Sequence, residues 1–559
     1  MRFRHNMRGH MRTILTASLL LLLGAAVAAQ VTDKDLLNPD PNDYLLYSGT
    51  YDSQRHSLLK QINTDNVSKL QAKWIFHMTG AKDLEAPPIV YKGVMYIGQY
   101  NRVHALDAAT GRLIWEHFRQ PPSVGWQRGI GIYGDMVYMV AQDSALVALD
   151  RRTGNPMWEA RPSQPGKRFQ GPMPFAAKGM IIMSGSGQGG GFIEAFDALT
   201  GKSKWWWNSI PKPGEPGNET WAGDSWRNGG GPIWVSGSYD PQLNLIYWGT
   251  GQPTPDFVGD NREGDNLYTD SIVALDIDTG KMKWYFQNTP HDVHDWDSNE
   301  MPILIDAPFP GGQGPPDQGA SGAARGGGAP QAQRAEAQMR KLLLQANRNG
   351  IYYVLDRTDG KFLRGVPFVS KVDWLSGLSP EGRPILTPGH EPTVQGTKTC
   401  PSTAGATNFP SPAYNPDTKL FYLIAQEGCG ITYRSTTNFR PGQGGSGTAY
   451  MESPDDRERW QLYVRALDAV TGKKVWDYEQ ISSFHYGPGL LSTAGGLIFA
   501  PEQQGMFTAL DAKTGKALWN FNTGALITAA PTTYTVDGQQ YIALAAFSNV
   551  IAFALPEAN

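Results

Sequence analysis

The sequence predicts an all-β fold made of repeated sheets, and three observations lead to that prediction. Residues 105–115 (ALDAATGRLIW) describe a short apolar strand ending at Asp, a Thr-Gly turn and a second strand ending at Trp. The chain carries 64 glycines and 40 prolines among short apolar runs, a composition typical of turn-rich β proteins. The unit also repeats at residues 148–158, 195–205, 274–284, 466–476 and 509–519, and the steps between its tryptophans include 43, 47 and 43 residues. The wider gaps on either side of residue 284 leave room for copies whose motif has decayed.

A repeat of this length is typical of one four-stranded propeller blade, whose aromatic side chain docks against the next blade. We therefore expect an eight-bladed β-propeller with tryptophan docking, with seven blades as the alternative. Residues 354–363 (VLDRTDGKFL) are a degenerate copy of the motif that lacks the tryptophan. Residues 239–248 are a candidate for a blade whose motif has decayed. Closing the ring would remove exposed sheet edges.

The first 29 residues have the pattern of a secretory signal peptide. The apolar run at residues 14–29 ends in small residues and is too short for a membrane span, and it follows Arg2, Arg4, Arg8 and Arg12. We expect cleavage near Ala29 and a periplasmic or secreted protein, with an uncleaved anchor as the alternative. Removing four arginines makes the net charge more negative than −3, so we expect no nucleic-acid partner.

The mature chain, residues 30–559, is predicted to be a single propeller domain. Residues 310–335 are a low-complexity Gly/Pro/Ala stretch that cannot bury a core, and we expect a flexible insertion there. Cys400 and Cys429 are the only two cysteines, and an exported chain favours a disulfide between them. The sequence contains no Cys-x-x-Cys-His, which excludes a covalently attached c-type haem.

Two stretches carry candidate chemistry. Residues 183–191 (MSGSGQGGG) are a Gly-rich turn that is not a phosphate loop, since no helix or Lys-Ser/Thr follows, and small residues there would let a flat ligand approach the backbone. Residues 289–297 (TPHDVHDWD) are dense in His and Asp. That density is typical of a solvated loop, and also of a general base beside a metal. A third interpretation is a zinc hydrolase using His291 and His294.

Together these stretches resemble the pyrroloquinoline-quinone (PQQ)-dependent alcohol dehydrogenases, the methanol dehydrogenase type of quinoprotein. The resemblance spans roughly residues 45–555. Its markers are the repeated motif, the cysteine pair, and residues 221–234 (WAGDSWRNGGGPIW), 264–276 (GDNLYTDSIVALD), 289–297 and 347–360 (NRNGIYYVLDRTDG).

The resemblance implies an eight-bladed propeller with PQQ near the axis, over a tryptophan and beside Ca²⁺ or a lanthanide. Trp234 would be the floor under the quinone, and Arg348 would bond its reactive oxygens. The remaining cofactor contacts that the resemblance implies are Glu85, Arg128, Gly187, Gln188 and Asn408.

The resemblance also implies the catalytic and metal-binding groups. Asp295 would take the proton of the alcohol, and Asp297 stands where lanthanide-using members carry an additional carboxylate. Gln252 would join these two aspartates at the metal, in place of the family's Asn.

Two further departures from the family concern the cofactor and the metal. Pro122 and Ser123 replace a vicinal cysteine pair, and the Gly-rich turn lacks a metal-binding Glu, with Gln188 or Ser186 nearest to its position. We expect an oxidoreductase that dehydrogenates a small alcohol or sugar and passes electrons to a separate acceptor, a cytochrome c or a quinone. The alternative is a cofactor-free exported propeller that binds or scaffolds other proteins.

Overall fold

The repeated motif determines the local structure because its polar residues build the turn between two strands. The computed structural model describes residues 30–80, 84–99, 101–120, 127–169, 171, 173–311, 335–434, 449–482 and 488–557. In the first copy of the motif, Asp107 Oδ1 accepts hydrogen bonds from the backbone N–H and the hydroxyl of Thr110, at 2.9 and 2.8 Å. Gly111 takes a φ of +72°, which glycine adopts without strain.

These motifs form eight antiparallel sheets with four strands in meander order, counted over the described residues. Sheets 1 to 4 comprise Ile89–Tyr91, Val94–Gln99, Arg102–Asp107 and Leu113–Phe118; Gly131–Tyr133, Met136–Val140, Leu146–Asp150 and Pro156–Ala160; Phe175–Ala177, Met180–Gly187, Phe192–Asp197 and Ser203–Asn208; and Ser238–Asp240, Leu245–Gly249, Ser271–Asp276 and Met282–Gln287. Sheets 5 to 8 comprise Ile303–Gly311, Ala335–Ala346, Ile351–Asp356 and Phe362–Pro367; Ala413–Asn415, Leu420–Glu427, Gln461–Asp468 and Lys474–Glu479; Leu491–Thr493, Leu497–Pro501, Met506–Asp511 and Ala517–Asn522; and Thr532–Val536, Gln539–Ala546, Asn549–Ala554 and Gln71–His77.

The remaining elements are short. Sheet 3 gains Lys167–Phe169 and sheet 7 gains the parallel strand His56–Ser57. Two small sheets comprise Leu375–Leu378 with Pro384–Leu386, and Thr397–Thr399 with Gly430–Tyr433 and Ala449–Glu452. The helical segments are an α-helix at Asp33–Leu37 and single 3₁₀ turns at Val67–Lys69, Asn218–Thr220, Ser225–Asn228 and Asp456–Glu458. None of the described helices is long and apolar enough to cross a membrane.

The tryptophan that ends each motif reaches the turn of another sheet. Trp115 Nε1 donates to the carbonyl oxygen of Arg151 at 3.0 Å, and a Cβ atom on Gly154 would lie 2.5 Å from its ring. The glycine of the turn is therefore required by this contact as well as by its positive φ. The indole N–H also donates to a backbone oxygen at Trp74, Trp205, Trp284, Trp476 and Trp519.

The all-β prediction is confirmed, and two details differ from the sequence-based expectation. Residues 239–248 are not a separate unit, because their hairpin belongs to the same sheet as the motif at residues 274–284. The ends of the predicted insertion at residues 310–335 continue the strands Ile303–Gly311 and Ala335–Ala346, which pair with each other. The rest of that insertion, the signal peptide, Pro122 and Ser123 lie outside the described residues.

The predicted disulfide is present. Cys400 and Cys429 are bonded, with their Cα atoms 4.4 Å apart. The bond joins two segments whose strands already pair, Thr397–Thr399 and Gly430–Tyr433. Closing a loop of 29 residues contributes roughly 3–4 kcal/mol in the loop-entropy model.

Candidate active site

The predicted site residues share one position within the repeated sheets. In a four-stranded meander, the segment before the first strand and the loop between the second and third strands lie at the same end of the sheet. The loops between second and third strands, or the strand ends beside them, carry Gly187, Gln188, Gln252 and Arg348. The segments that precede first strands carry Glu85, Arg128, Trp234, Asp295, Asp297 and Asn408.

Three glycine-containing segments stack on one another beside this site. Gly191 N donates to Gly230 O at 3.0 Å, Gly231 N to Gln252 O at 2.7 Å, and Gly251 N to Pro232 O at 2.8 Å. A Cβ atom on Gly191 would lie 1.8 Å from Gly231 O, and one on Gly251 would lie 2.1 Å from Asp297 Oδ1. These glycines therefore allow neighbouring segments to pack closely against one another. The sequence analysis had linked the small residues of the Gly-rich turn only to the approach of a flat ligand.

Arg348 is the centre of the charged part of the site. Its Nη1 atom lies 2.9 Å from Asp297 Oδ2, and its Nη2 atom lies 3.4 Å from Asp295 Oδ2 and donates to Thr403 O at 2.9 Å. The Arg348 backbone N–H donates to Glu300 Oε1 at 3.2 Å. One buried guanidinium thus bridges two aspartates that lie two residues apart in the loop before the strand Ile303–Gly311.

Burial dominates the electrostatics of these carboxylates. Burial raises the pKa of Asp295 well above its usual range, although the positive charge of Arg348 lowers it. Repulsion from Asp297 and Asp256 raises the pKa further. Burial also raises the pKa of Asp297, although Arg348, the Gln252 N–H and Asn299 favour its ionised form. The Asp295 side chain keeps 27% of its surface exposed, so a small solute can reach it from solvent.

Asp256 is a third carboxylate in this group, and the sequence interpretation missed it. Burial raises its pKa, a hydrogen bond from the Gln252 side chain lowers it, and repulsion from Asp297 raises it further. Gln252 also donates its backbone N–H to Asp297 Oδ1 at 3.1 Å. A single glutamine therefore contacts Asp256 through its side chain and Asp297 through its backbone.

Aromatic and basic side chains form the other part of the site. The Arg128 guanidinium carbon lies 4.7 Å from the centre of the Trp234 ring and 5.0 Å from that of Phe409, an arrangement that attracts a cation to the ring face. Arg128 Nε lies 3.4 Å from Glu85 Oε2. Asn408 is buried next to Phe409 and accepts its backbone N–H at 2.8 Å.

Asn299 connects the aromatic part to the charged part. Its side-chain oxygen accepts from the Trp234 backbone N–H at 3.4 Å, and its amide donates to Pro232 O at 3.2 Å. The same side chain hydrogen-bonds Asp297. Trp234 and Arg348, predicted from separate motifs, are thereby brought to one place.

The Gly-rich turn is less closely integrated. Gln188 is exposed, and its backbone N–H donates to Gly166 O at 3.2 Å. Lys167 pairs with Gly187 and donates its ammonium to Gly190 O at 2.7 Å, and burial lowers the Lys167 pKa to about 8. The ionisable group beside this turn is therefore a lysine, where the resemblance implies a carboxylate.

The zinc interpretation of His291 and His294 finds no support in the geometry. His291 Nδ1 bonds Gly264 O at 2.8 Å, while His294 Nε2 bonds His390 O at 2.9 Å and its ring stacks on Trp296. Within the described residues, one group of three His, Cys, Asp or Glu side chains has its ligand atoms within 4.8 Å, and it comprises Cys400, Cys429 and Glu458. Those cysteines form the disulfide, so this group offers no thiolate.

Asp270 and Glu300 are further buried acids that the sequence did not single out. Both oxygens of Asp270 lack a hydrogen-bond partner among the described residues, and both side-chain atoms of the buried Asn288 do as well. Burial raises the pKa of Asp270 and that of Glu300 well above their usual range. The motif GDNLYTDSIVALD contains Asp270, but spacing alone gives no sign of its burial.

Comparisons with known proteins show one family of similar proteins. A family model described as "PQQ: Glucose/ethanol/alcohol dehydrogenase, beta-propeller domain" matches residues 45–316 and 483–542. The quinoprotein alcohol dehydrogenase PedH of Pseudomonas putida is 33% identical over 95% of this chain and 90% of its own length. The quinohemoprotein alcohol dehydrogenase of Comamonas testosteroni is 34% identical, over 93% of this chain and 75% of its own length. A europium-containing methanol dehydrogenase superposes with a TM-score of 0.80 at 27% identity, over 93% of this chain and all of that one.

Proposed function

Because this chain belongs to the family of PQQ-dependent glucose, ethanol and alcohol dehydrogenase β-propellers, we propose that it dehydrogenates a small alcohol or sugar at the Asp295–Arg348 pair. It is an enzyme of the quinoprotein alcohol dehydrogenase type. The observation that carries the proposal is the bridge from Arg348 to Asp295 and Asp297 beside the Trp234–Arg128 pair.

The side chains present suit PQQ, a flat and anionic molecule. Arg128 lies over one face of the Trp234 indole, so a flat ring would stack on the other face. Arg128 and Arg348 offer guanidinium groups for carboxylates and carbonyl oxygens. Glu85 holds Arg128, and Asn408 holds the backbone beside Phe409. When bound, the quinone supplies the two-electron acceptor for the hydride of the substrate.

The side chains also suit a hard cation such as Ca²⁺ or a lanthanide. Asp295 and Asp297 supply carboxylate oxygens, and the Oε1 atom of Gln252 is buried without a hydrogen-bond partner in the described structure. Oxygen donors of this kind are those that hard cations prefer. Gly187 and Gln188 remain candidates for contacting the cofactor from the Gly-rich turn.

Asp295 acts as the base in this proposal. Its carboxylate would accept the hydroxyl proton of the substrate, which requires the ionised form. Burial disfavours that form, whereas Arg348 favours it, so the pKa of Asp295 depends on the guanidinium beside it. Arg348 also fixes Asp297, which keeps the two carboxylates in place during the proton transfer.

The eight four-stranded sheets and the indole hydrogen bonds between them support a closed ring of eight blades with tryptophan docking. Electrons would leave to a separate acceptor, a cytochrome c or a quinone, because the sequence has no haem-attachment motif. The signal-like residues 1–29 support export to the periplasm or beyond. Relatives include alcohol dehydrogenases whose names specify a quinone.

Reconstitution tests the proposed function. Purified mature protein is incubated with PQQ and either Ca²⁺ or La³⁺, and dye reduction is followed with a panel of alcohols and sugars. Asp295→Asn should lower kcat by at least about 10²-fold, because general-base catalysis contributes that much, while PQQ binding changes little. The control is Asp260→Asn, which alters an exposed carboxylate paired with Arg434.

Two results would contradict the proposal. Full activity of Asp295→Asn would remove this residue from the chemistry. A wild-type protein that binds PQQ and a cation, yet reduces no dye with any substrate, would remove the proposed activity, and one that binds neither would favour the cofactor-free binding or scaffold function.

A further inference from the structure

The loop after Gln252 carries a carboxylate that the proposed function does not use. We propose that Asp256 is a cation ligand of this chain, supplying from this loop the carboxylate that the Gly-rich turn lacks. The inference rests on the proposed function, because it assigns a residue to the cation of the same site. It changes the expected ligand set from two carboxylates to three.

Gln252 provides the first support for this assignment. Its side chain hydrogen-bonds Asp256, and its backbone N–H donates to Asp297 Oδ1 at 3.1 Å. Asp256 and Asp297 therefore contact the same residue. The Oε1 atom of Gln252 is buried and has no hydrogen-bond partner within the described residues, although a buried amide oxygen is normally paired. A cation between these groups would provide the missing partner.

The loop that carries Asp256 is held in place from inside the protein. Arg262 is fully buried, and its Nε and Nη2 atoms donate to Pro255 O at 3.2 and 3.0 Å. Its Nη1 atom donates to Asn266 Oδ1 at 2.8 Å. These bonds fix the backbone directly before Asp256, so the carboxylate is positioned before a ligand arrives, which a binding site requires.

The charge balance gives a second, independent argument. Asp256, Asp295 and Asp297 interact electrostatically, and each also interacts with the guanidinium of Arg348. Asp256 interacts with the buried guanidinium of Arg262 as well. Three neighbouring carboxylates, of which Asp297 is buried and Asp256 and Asp295 are partly buried, repel one another unless protons or cations neutralise them. Three carboxylates thus face two guanidinium groups, so the site keeps negative charge when all three are ionised, and a multivalent cation is the group that would neutralise it.

The three carboxylates do not yet converge as closely as bound ligands, since no three such oxygens here lie within 4.8 Å of one another. Arg348 bridges Asp295 and Asp297. Cation binding would draw the oxygens together. The energy gained from a carboxylate grows with the charge of the cation, so Asp256 should matter more for a trivalent than for a divalent ion.

Cation binding without turnover tests the assignment. Mature protein is stripped with EDTA and titrated with LaCl₃ and with CaCl₂ by calorimetry, and with TbCl₃ by luminescence, with and without PQQ. Asp256→Asn should weaken La³⁺ binding by at least about tenfold and Ca²⁺ binding by a smaller factor. Asp256→Glu should restore part of the La³⁺ affinity. Asp260→Asn, four residues along the same loop, should bind both ions like the wild type.

The outcomes are distinct. La³⁺ binding by Asp256→Asn within twofold of wild type would overturn the assignment, as would a wild type that binds no cation under any condition. Asp256→Ser serves as a second neutral variant if the asparagine variant does not fold, as judged by circular dichroism. Asp256-dependent cation binding in a protein that reduces no dye would sustain this inference while the proposed function fails.

Discussion

Replacing Asp270 by Asn tests whether a buried carboxyl is held neutral in the folded protein. Asp270 is fully buried, and neither of its oxygens has a hydrogen-bond partner among the described residues. Burial raises its pKa well above the usual range, and repulsion from Asp292 and Asp297 adds to the rise. The protonated acid and the amide of Asn have nearly the same shape and charge, so the two proteins should have similar stability near pH 4.

The difference should grow as the pH rises. Above an unfolded-state pKa of about 3.9, the unfolded wild type gains stability by ionising, whereas the folded carboxyl stays protonated. The wild type therefore loses about 1.4 kcal/mol of unfolding free energy per pH unit relative to Asp270→Asn, until the folded-state pKa is reached. The variant should be the more stable protein at neutral pH.

Urea denaturation at pH 4, 5, 6 and 7 in the presence of EDTA measures this effect. The control is Asp278→Asn, because Asp278 is exposed and Lys178 lowers its pKa, so its loss should slightly destabilise the protein above pH 4. A stability difference for Asp270→Asn that does not change with pH would refute the reasoning. So would a wild type that is more stable than the variant at pH 7.

Two further predictions concern the sheets. Trp115→Phe should lower the unfolding free energy by about 1 kcal/mol more than Trp158→Phe does. The reason is that Trp115 Nε1 donates to Arg151 O, whereas Trp158 Nε1 has no partner among the described residues. Equal losses of stability in urea denaturation would argue against a role for the indole hydrogen bond. Burial lowers the pKa of His104 to about 4 even though Glu116 lies 3.5 Å away, so its neutral form stabilises the fold fully above pH 6.5 and that stability is lost as the pH falls toward 4. Replacing His104 by Gln should flatten the decline by up to about 3 kcal/mol, and an unchanged pH profile would contradict the assignment.

The sequence predicts the repeated parts of the fold well because each repeat contains its own turn chemistry. Asp107, Thr110 and Gly111 make their contacts within five residues, and the same contacts return in the other copies. Trp115 and Gly154 come from successive copies, so a repeat also predicts the contact between sheets. Where the repeat is irregular, as at residues 239–248, the prediction was wrong.

The sequence predicted only those site residues that belong to recognisable motifs. Asp295, Asp297 and Arg348 come from two motifs and lie in contact, while their roles stay a prediction. Asp256 and Asn299 could not be predicted, because Asp297, near Asp256, and Trp234, the partner of Asn299, lie on other segments and no local pattern marks them. In the sequence, Asp256 looks like any other polar loop residue. Only the course of the backbone shows that it lies beside Gln252 and Asp297.

Sheet 8 has a consequence for how the protein is made. Its strand Gln71–His77 pairs with Asn549–Ala554, and Gln540 hydrogen-bonds Gln61, which is 479 residues away along the chain. This sheet cannot assemble until nearly all of the polypeptide has been synthesised, since pairing so distant must await its second partner. A nascent chain would hold its early segments without their final neighbour during that time. If residues 1–29 direct export, as their sequence predicts, this sheet would form only after the chain has crossed the membrane.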